Sequence, residues 1–390
     1  MKEKLAQLNM RLQSLAVFRA LLEDSVIGAL QQYLNSPGVS RYAAFVAALY
    51  ESGSESLAAH IQDAVNDNEN PYIRLIGKGV CPGAEMTACV NRELETLQLL
   101  AQLTKDDLAQ ELQGQEYLPD FPAGTADIPG DYSLRCANIG QYGYGIYAKH
   151  RMFYINSANQ IVPVHNPDRI RLSALVDYER EQKIILDNTL ALLEGKPAAN
   201  ILLTGDAGTG KSSTIKAVVN ELHHRGLRIL EIRKEQLHEI PAVLDQLNSN
   251  PLKFILFIDD LSFQKDDDNF SALKAILEGS VSAKAQNVAI YATSNRRHLV
   301  KESFSDREGD DIHRNDTVQE IISLSERFGI QITFQKPNKQ TYLDIVRHLA
   351  KERGICCDDL EEQAERFALG RGGRSARAAK QFIDSLESGK

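Results

Sequence analysis

The stretch ILLTGDAGTGKSS (201–213) limits the choice of fold more than any other feature of the chain. An apolar run ends at Gly205, four residues follow, and Gly210-Lys211-Ser212 completes the phosphate-binding P-loop pattern. Glycines allow successive backbone N–H groups to turn inward towards an anion, and a helix that begins near Lys211 points its positive end at the same place. A plain strand–turn–helix without a ligand is the alternative explanation.

Each residue type in this loop has a defined use. Lys211 is placed to reach the β- and γ-phosphates of a nucleotide, and the Ser212 hydroxyl is placed to bind Mg²⁺. The flanking pattern fits, because 201–203 is typical of a buried strand and 214–222 has apolar residues at helical spacing. We predict nucleotide contacts from Gly205, Asp206, Ala207, Gly208, Thr209, Gly210, Lys211, Ser212 and Ser213.

A second apolar run, KFILFI (253–258), ends in Asp259 and Asp260. Burying a carboxylate is costly unless it has a partner, and a metal bound beside a P-loop supplies one. Asp259 is therefore a candidate Mg²⁺ ligand, and Asp260 is a candidate to orient or deprotonate an attacking water. A surface turn after a strand is the alternative. The two motifs together predict a site for a nucleotide phosphate and Mg²⁺.

Composition narrows the class of protein. The 390 residues are 43% apolar and 25% charged, which is typical of a globular chain with two or three domains. No apolar run approaches the ~18 residues that cross a bilayer, and the first residues predict an amphipathic helix rather than a secretion signal. The five cysteines are scattered and no pair has CxxC spacing. We expect a cytoplasmic protein without membrane contact and without structural zinc.

The N-terminal region is acidic and patterned for helices. Residues 1–165 carry 12 Lys and Arg against 18 Asp and Glu, which disfavours nucleic acid as a partner. Residues 1–118 have apolar residues at helical spacing, and the stretch LPDFPAGTADIPG (118–130) predicts a loop. Residues 133–165 predict strands. Their Tyr-rich part, 139–155, is either a platform of stacked aromatics for a ligand or a β-hairpin packed on the rest of the chain.

Three polar positions follow the P-loop in an informative order. Asn295 ends the apolar strand NVAIYATSN, Arg327 precedes an alternating strand, and Arg377 opens a late helix. With the P-loop and the paired carboxylates, this order resembles the AAA+ ATPases. Over residues 165–385 the chain is similar to one bacterial family known mainly as a domain of unknown function. The similar segments are YEREQ (178–182), GDAGTGKSS (205–213), FIDDLSF (257–263), LKAILEG (273–279), YATSNRRHL (291–299) and SLSERFG (323–329).

The resemblance implies an α/β fold. Its centre is an AAA+ αβα parallel-sheet P-loop core over residues 177–335, followed by a small C-terminal helical lid over 336–390. A helical N-terminal domain over 1–118 and a loop and β-hairpin connector over 119–176 precede the core.

The resemblance also implies roles for single residues. Asn295 matches the residue that holds the γ-phosphate or the lytic water. Arg327 matches the arginine finger given to a neighbouring subunit. Arg377 matches the lid arginine that senses the γ-phosphate, with Arg374 as its substitute. Tyr178 lies where such proteins contact the adenine, and Gln182 four residues later shares that expectation.

Some of these assignments have alternatives. The alternative for Arg327 is a surface arginine paired with an acid. Arg296 and Arg297 are also placed to reach a neighbour's site. The alternative for Arg377 is that the cations within 371–380 form a solvated face of the lid. The run KDDD (265–268) is most simply an exposed loop.

The implied function is that of a Mg²⁺-dependent ATPase. It forms a homo-oligomer, a ring or an arc, and couples nucleotide state to remodelling or scaffolding of a protein partner recruited through residues 1–165. AAA+ proteins in general carry Asp-Glu where this chain has Asp259-Asp260, so slow turnover or a non-hydrolysing switch is one alternative. A nucleic-acid motor or loader is the other. Residues 231–240, EIRKEQLHEI, lack the aromatic residue and the Gly of the loops that threading unfoldases use.

Overall fold

Seven strands of the C-terminal part of the chain hydrogen-bond into one sheet in the computed structural model, which describes residues 2–110, 112, 115–261, 273–277, 286–295 and 326–388. The chain divides into two units, Met1–Lys149 and His150–Lys390. Arg296, Arg297 and the run 265–268 lie outside the described residues. None of the helices in the described ranges is long and apolar enough to cross a bilayer.

The first unit consists of helices around one apolar core. The apolar stripes of the sequence face inward, so that Phe18, Leu30, Phe45 and Leu97 are fully buried. The α-helices are α1 (Lys2–Gln13), α2 (Ser25–Asn35), α3 (Val39–Ser52), α4 (Leu57–Asn66), α5 (Pro71–Gly77), α6 (Ala84–Ala101), α7 (Lys105–Ala109), α8 (Ile128–Ala137), α9 (Ile139–Tyr142) and α10 (Ile146–Lys149).

The first unit extends beyond the predicted boundary at residue 118. Residues 128–149 form α8, α9 and α10, so the prediction of strands over 133–165 is wrong for residues 133–149. Asp127 caps α8 by accepting a hydrogen bond from the Gly130 amide, and the Tyr132 ring lies 5.3 Å from that of Phe18. Tertiary burial of the tyrosines in a helical core outweighs their preference for strands. Tyr144 is also buried, so this segment is no open aromatic platform.

The second unit begins with the predicted hairpin and continues into a mostly parallel sheet. The hairpin strands pair antiparallel, and every other pairing is parallel. The strands are β1 (Met152–Ile155), β2 (Ile161–Pro163), β3 (Ile201–Gly205), β4 (Leu227–Glu231), β5 (Lys253–Ile258), β6 (Val288–Ser294) and β7 (Ile330–Phe334). Their order across the sheet is β2-β1-β4-β5-β6-β3-β7. The hairpin is thus part of the main sheet rather than a separate connector.

Helices cover this sheet, which explains the continuous apolar runs of its central strands. All five residues of β3 and the last five of β5 are buried, as expected for parallel strands with both faces covered. The helices are α11 (Glu179–Leu193), α12 (Lys211–Leu222) and α13 (Ile240–Asn248). The predicted α/β class, with a mostly parallel sheet and the P-loop after its strand β3, is confirmed.

Three helices follow the last strand and pack around an apolar cluster of their own. They are α14 (Lys339–Glu352), α15 (Leu360–Gly370) and α16 (Ala376–Glu387). Asn338 caps α14 and Ser375 caps α16, each by accepting a hydrogen bond from a backbone amide three residues on. A helical C-terminal segment is therefore present as predicted, while its separation from the core at 335/336 stays a prediction.

Candidate phosphate-binding site

The carboxyl ends of three adjacent parallel strands meet at one edge of the sheet. β3 runs into the P-loop, β5 into Asp259 and Asp260, and β6 into Asn295. A cavity of about 730 Å³ lies at this edge, within the size range of small-molecule sites. It is lined by residues 207–214, Asp259, Asp260, Asn295 and Arg377, together with residues from 168–182 and the C-terminal helices.

Glycines give the P-loop its path. Gly205 has φ 138°, Gly208 has φ 80° and Gly210 has φ 95°, in the region that favours glycine. A Cβ on Gly205 would meet the carbonyl oxygen of Phe334 at 2.1 Å. Gly205 is thus required both by its backbone angles and by the close approach of β7.

Lys211 occupies the centre of the loop. Its side chain is 5% exposed, and its Nζ donates at 2.8 Å to the carbonyl oxygens of Gly205 and Asp206 and at 3.2 Å to Oδ1 of Asn295. Burial lowers the pKa of Lys211, and the carboxylates of Asp259 and Asp206 oppose that shift. The loop therefore holds a cation whose present partners are mostly neutral carbonyls, which an anionic ligand would readily replace.

Ser212 and Asp259 form the candidate metal site. The Ser212 hydroxyl donates to Oδ1 of Asp259 at 2.6 Å, and the Thr293 hydroxyl donates to the same oxygen at 2.5 Å. Mg²⁺ prefers oxygen ligands and keeps several of its waters, so a hydroxyl and one carboxylate are a sufficient protein contribution. Across the described residues no three His, Cys, Asp or Glu side chains assemble as a metal site.

Asp260 and Asn295 contact each other directly. Nδ2 of Asn295 donates to Oδ1 of Asp260 at 2.6 Å, and the Asp260 amide donates to the Thr293 hydroxyl at 3.0 Å. The Asp260 backbone has φ 54°, an angle that Asp tolerates better than most residues. Asp260 and Asn295 were both predicted from the sequence. Thr293 was not, because it belongs to no sequence motif and reaches the site from the neighbouring strand.

The two candidate lid arginines differ in position. The Arg377 amide donates to the carbonyl oxygen of Gly208 at 3.2 Å, and its side chain is exposed and lines the cavity. Arg374 instead donates two hydrogen bonds to Glu365, at 2.8 and 2.6 Å. Since Arg374 is held by a carboxylate on α15, the structure favours Arg377 for contact with a nucleotide.

Tyr178 and Gln182 stand at the other end of the cavity. The Tyr178 hydroxyl donates to the Gln335 carbonyl, and its ring lies 4.8 Å from that of Phe334. Burial raises the pKa of Tyr178. The Gln182 amide donates to the carbonyl oxygens of Leu175 and Asp177 at 3.1 and 3.0 Å. Both residues line the cavity, and both also fix the chain that enters α11.

An apolar wall of the cavity lies beside these residues and was not predicted from the sequence. Leu175 and Val176, which precede α11, line the cavity with Ile345 and Leu349 of α14. These four residues come from segments more than 160 positions apart, and nothing in their local pattern indicates a shared surface. An apolar wall next to a phosphate-binding loop is suited to the flat face of a nucleobase.

Arg327 is not among the residues that line the cavity. It precedes β7, whose Ile330 is opposite Ile201 while Phe334 is opposite Gly205. Arg327 therefore lies at the amino-terminal edge of the sheet, whereas the P-loop lies at the carboxyl-terminal edge. Four residue steps along β7 lead from Ile330 to Phe334, a length of about 13 Å. The structure does not bring Arg327 together with the other site residues of its own chain.

Comparison with known proteins places the C-terminal part of the chain in a family. The sequence profile described as "Protein of unknown function (DUF815)" matches residues 148–390, more than half of the chain. No curated protein sequence matches the chain significantly.

Several solved structures are similar at low sequence identity. The Thermotoga maritima RuvB Holliday junction branch migration motor is 17% identical with a TM-score of 0.38, and the match covers 56% of this chain and 64% of RuvB. Aeropyrum pernix ORC1 in complex with DNA is 17% identical with a TM-score of 0.39, over 54% of this chain and 59% of ORC1. The Escherichia coli MS115-1 HORMA:CdnC:Trip13 complex gives 12% identity and a TM-score of 0.37, over 55% of this chain and 90% of the matched chain. The chain therefore spans less than two thirds of the length of RuvB and of ORC1.

Proposed function

This chain belongs to the DUF815 family of proteins of unknown function, and we propose that its unit His150–Lys390 binds ATP with Mg²⁺ and hydrolyses it. One observation carries the proposal. Lys211, Ser212, Asp259, Asp260 and Asn295 come from three separate strand ends and line one cavity, with each of them hydrogen-bonded to another of the set.

The proposed reaction is in-line attack of water on the γ-phosphate. The backbone N–H groups of the P-loop cradle the phosphates, and Lys211 exchanges its carbonyl partners for phosphate oxygens. Ser212 and Asp259 would hold Mg²⁺, which would supply positive charge beside the phosphates. Asp260 accepts a proton from the attacking water, and Asn295 holds Asp260 or the water in place.

Calorimetry and turnover measurements on the full chain test this proposal. We expect ATP and ADP to bind more tightly with Mg²⁺ than without it, and phosphate release to require Mg²⁺. Failure of ATP to bind at millimolar concentration would refute the proposal. If ATP binds tightly but no phosphate is released in a single turnover, the protein is a nucleotide-dependent switch rather than an ATPase. The feature that supports this alternative is Asp260, which is shorter than the Glu found at this position in AAA+ proteins in general.

We further propose that the ATPase acts on a protein partner, recruited through residues 1–165. The acidic balance of that region supports a protein over a nucleic acid. The segment after β4 also disfavours threading of a polypeptide. It forms a short 3-10 helix, Lys234–Glu239, whose Gln236 donates to the Ile155 carbonyl at 3.1 Å, while Asn159 donates to Glu239 at 2.6 Å. A segment fixed to the hairpin in this way is not a free gripping loop.

Two experiments separate the partner classes. Fluorescence anisotropy with labelled duplex DNA, single-stranded DNA and RNA at low and physiological salt tests the nucleic-acid alternative, and we expect no salt-dependent binding in any nucleotide state. Affinity capture from cells compares Asp260→Asn with Lys211→Ala. A protein retained by the first variant and lost with the second would support a nucleotide-dependent protein partner, and identical captures would contradict it.

A further inference from the structure

The helix α16 presents two exposed cations to the cavity. Arg377 and Lys380 are three residues apart, so they lie on the same face of the helix, and both line the cavity. We propose that Lys380 binds the α- and β-phosphates of the nucleotide, which makes the C-terminal helices grip ADP as well as ATP. This inference rests on the proposed nucleotide binding and adds a residue to that site.

The start of α16 is docked on the P-loop, which fixes where Lys380 lies. The Arg377 amide donates to the Gly208 carbonyl at 3.2 Å, and a Cβ on Gly208 would stand 3.0 Å from the Arg377 Cβ. Lys380 follows one turn later, a rise of about 4.5 Å along the helix axis. A lysine there has a flexible four-carbon stem with which to reach phosphates cradled by the loop.

The charges around Lys380 leave it available for an anion. Arg353, another cation that lines the cavity, donates to Asp384 at 2.6 Å and to Glu387 at 2.8 Å. Over the ranges that the structure describes, no carboxylate lies within 4.0 Å of the Lys380 ammonium, although Glu352 also lines the cavity. An exposed ammonium that faces a phosphate-binding loop is suited to charge-assisted hydrogen bonds with phosphate oxygens.

The position of α16 favours the α- and β-phosphates over the γ-phosphate. The γ-phosphate belongs where Asp259, Asp260 and Asn295 meet, because these residues are the candidates for the metal and the water. P-loop amides cradle the α- and β-phosphates, and α16 contacts the loop at Gly208, its middle residue. Lys380, on the face of α16 that lines the cavity, is assigned to the phosphates that ATP and ADP share, while the longer Arg377 side chain is left for the γ-phosphate.

The test is calorimetric titration of the full-length chain with Mg-ATP and Mg-ADP. The variants are Lys380→Gln, Lys380→Arg, Arg377→Gln and, as the matched control, Lys351→Gln. Lys351 is an exposed lysine on α14 that does not line the cavity. Because the three side chains that these variants change are exposed, we expect unchanged melting temperatures without nucleotide.

We expect Lys380→Gln to weaken the binding of ATP and of ADP about equally, by about 5–30-fold. This is the effect of losing one partly solvated hydrogen bond to a charged group. Lys380→Arg should retain most of the affinity, Arg377→Gln should weaken ATP more than ADP, and Lys351→Gln should change neither. Wild-type affinity for ADP in Lys380→Gln would overturn the inference, as would a loss confined to ATP, which would assign Lys380 to the γ-phosphate. Wild-type protein that binds no nucleotide would instead refute the proposed function itself.

Discussion

Asn295 donates a hydrogen bond of 2.6 Å from Nδ2 to Oδ1 of Asp260, and its own Oδ1 accepts from Lys211 at 3.2 Å. The amide thus joins the ends of β5 and β6 to the centre of the P-loop. A nucleotide that takes over Lys211 would therefore act on Asn295, and through it on Asp260. This hydrogen bond gives the Asp260 carboxylate a defined orientation towards the loop.

Asp260→Asn should bind Mg-ATP nearly as the wild type does and hydrolyse it slowly. Asn has nearly the shape of Asp and also tolerates positive φ, so the backbone at this position is expected to survive. Loss of a positioned general base should slow single-turnover hydrolysis by about 10²–10⁴-fold. Asp245→Asn, an exposed acid on α13, is the control. Turnover of Asp260→Asn at the wild-type rate would mean that another group is the base.

Lys211→Ala should abolish ATP binding at physiological nucleotide concentration. The variant removes the compact cation at the centre of the loop, and the buried position leaves little room for another charge to replace it. Lys216→Ala is a close control, because Lys216 lies on the same helix. Its Nζ lies 3.7 Å from Oε2 of Glu231 rather than at the centre of the loop. Calorimetry should show binding in the control and none in Lys211→Ala. Wild-type affinity in Lys211→Ala would refute the assignment of the loop.

Asp259→Ala and Ser212→Ala should each reduce the Mg²⁺ dependence of ATP binding. Their oxygens are 2.6 Å apart, and both are the type of ligand that Mg²⁺ binds. Titration of ATP at several Mg²⁺ concentrations measures the effect. The affinity without metal should change little, and the gain on adding Mg²⁺ should shrink. An undiminished gain in both variants would place the metal elsewhere.

The sequence predicts the site better than it predicts the N-terminal fold, for a physical reason. A P-loop needs particular residues at fixed spacing, so Gly205 to Ser212 and Asp259 could be identified without a structure. The helices over 128–149 depend instead on tertiary burial of Tyr132 and Tyr144, which local preference does not report. Two positions were not predicted from the sequence: Thr293, which donates to Asp259, and Lys380, which we propose as a phosphate ligand. Each is brought to the site by elements that are distant from the P-loop in sequence.

Gly205→Ala should destabilise the second unit more than Gly195→Ala does. Both glycines have positive φ, but a Cβ on Gly205 would meet the Phe334 carbonyl at 2.1 Å, whereas Gly195 has nothing within 4 Å. We expect a loss of about 1 kcal/mol for Gly195→Ala and about 2–4 kcal/mol for Gly205→Ala, where overpacking adds to backbone strain. Urea unfolding measures both. Equal losses would contradict the steric argument.

Arg327 should act on the nucleotide of a neighbouring subunit. It lies at the amino-terminal edge of the sheet and its own P-loop lies at the carboxyl-terminal edge. The length of β7, about 13 Å, separates these edges, so Arg327 is poorly placed for its own site. An arginine that meets the γ-phosphate from another subunit contributes about 10³–10⁵-fold in rate, or about 4–7 kcal/mol of barrier. Arg327→Ala should therefore bind ATP well and hydrolyse it poorly, and the chain should assemble when ATP is bound.

Mixing two inactive variants tests this arrangement directly. Lys211→Ala fails to bind ATP but keeps Arg327, and Arg327→Ala keeps an intact P-loop. In a mixed oligomer some interfaces pair the intact loop of one subunit with the intact arginine of the next, so part of the wild-type activity should return. A mixture of Lys211→Ala with Lys211→Ala/Arg327→Ala, which offers no intact site, is the control. A monomer that hydrolyses ATP at the full rate would disprove the shared site, as would a mixture that stays inactive although light scattering and cross-linking show that the two variants assemble together.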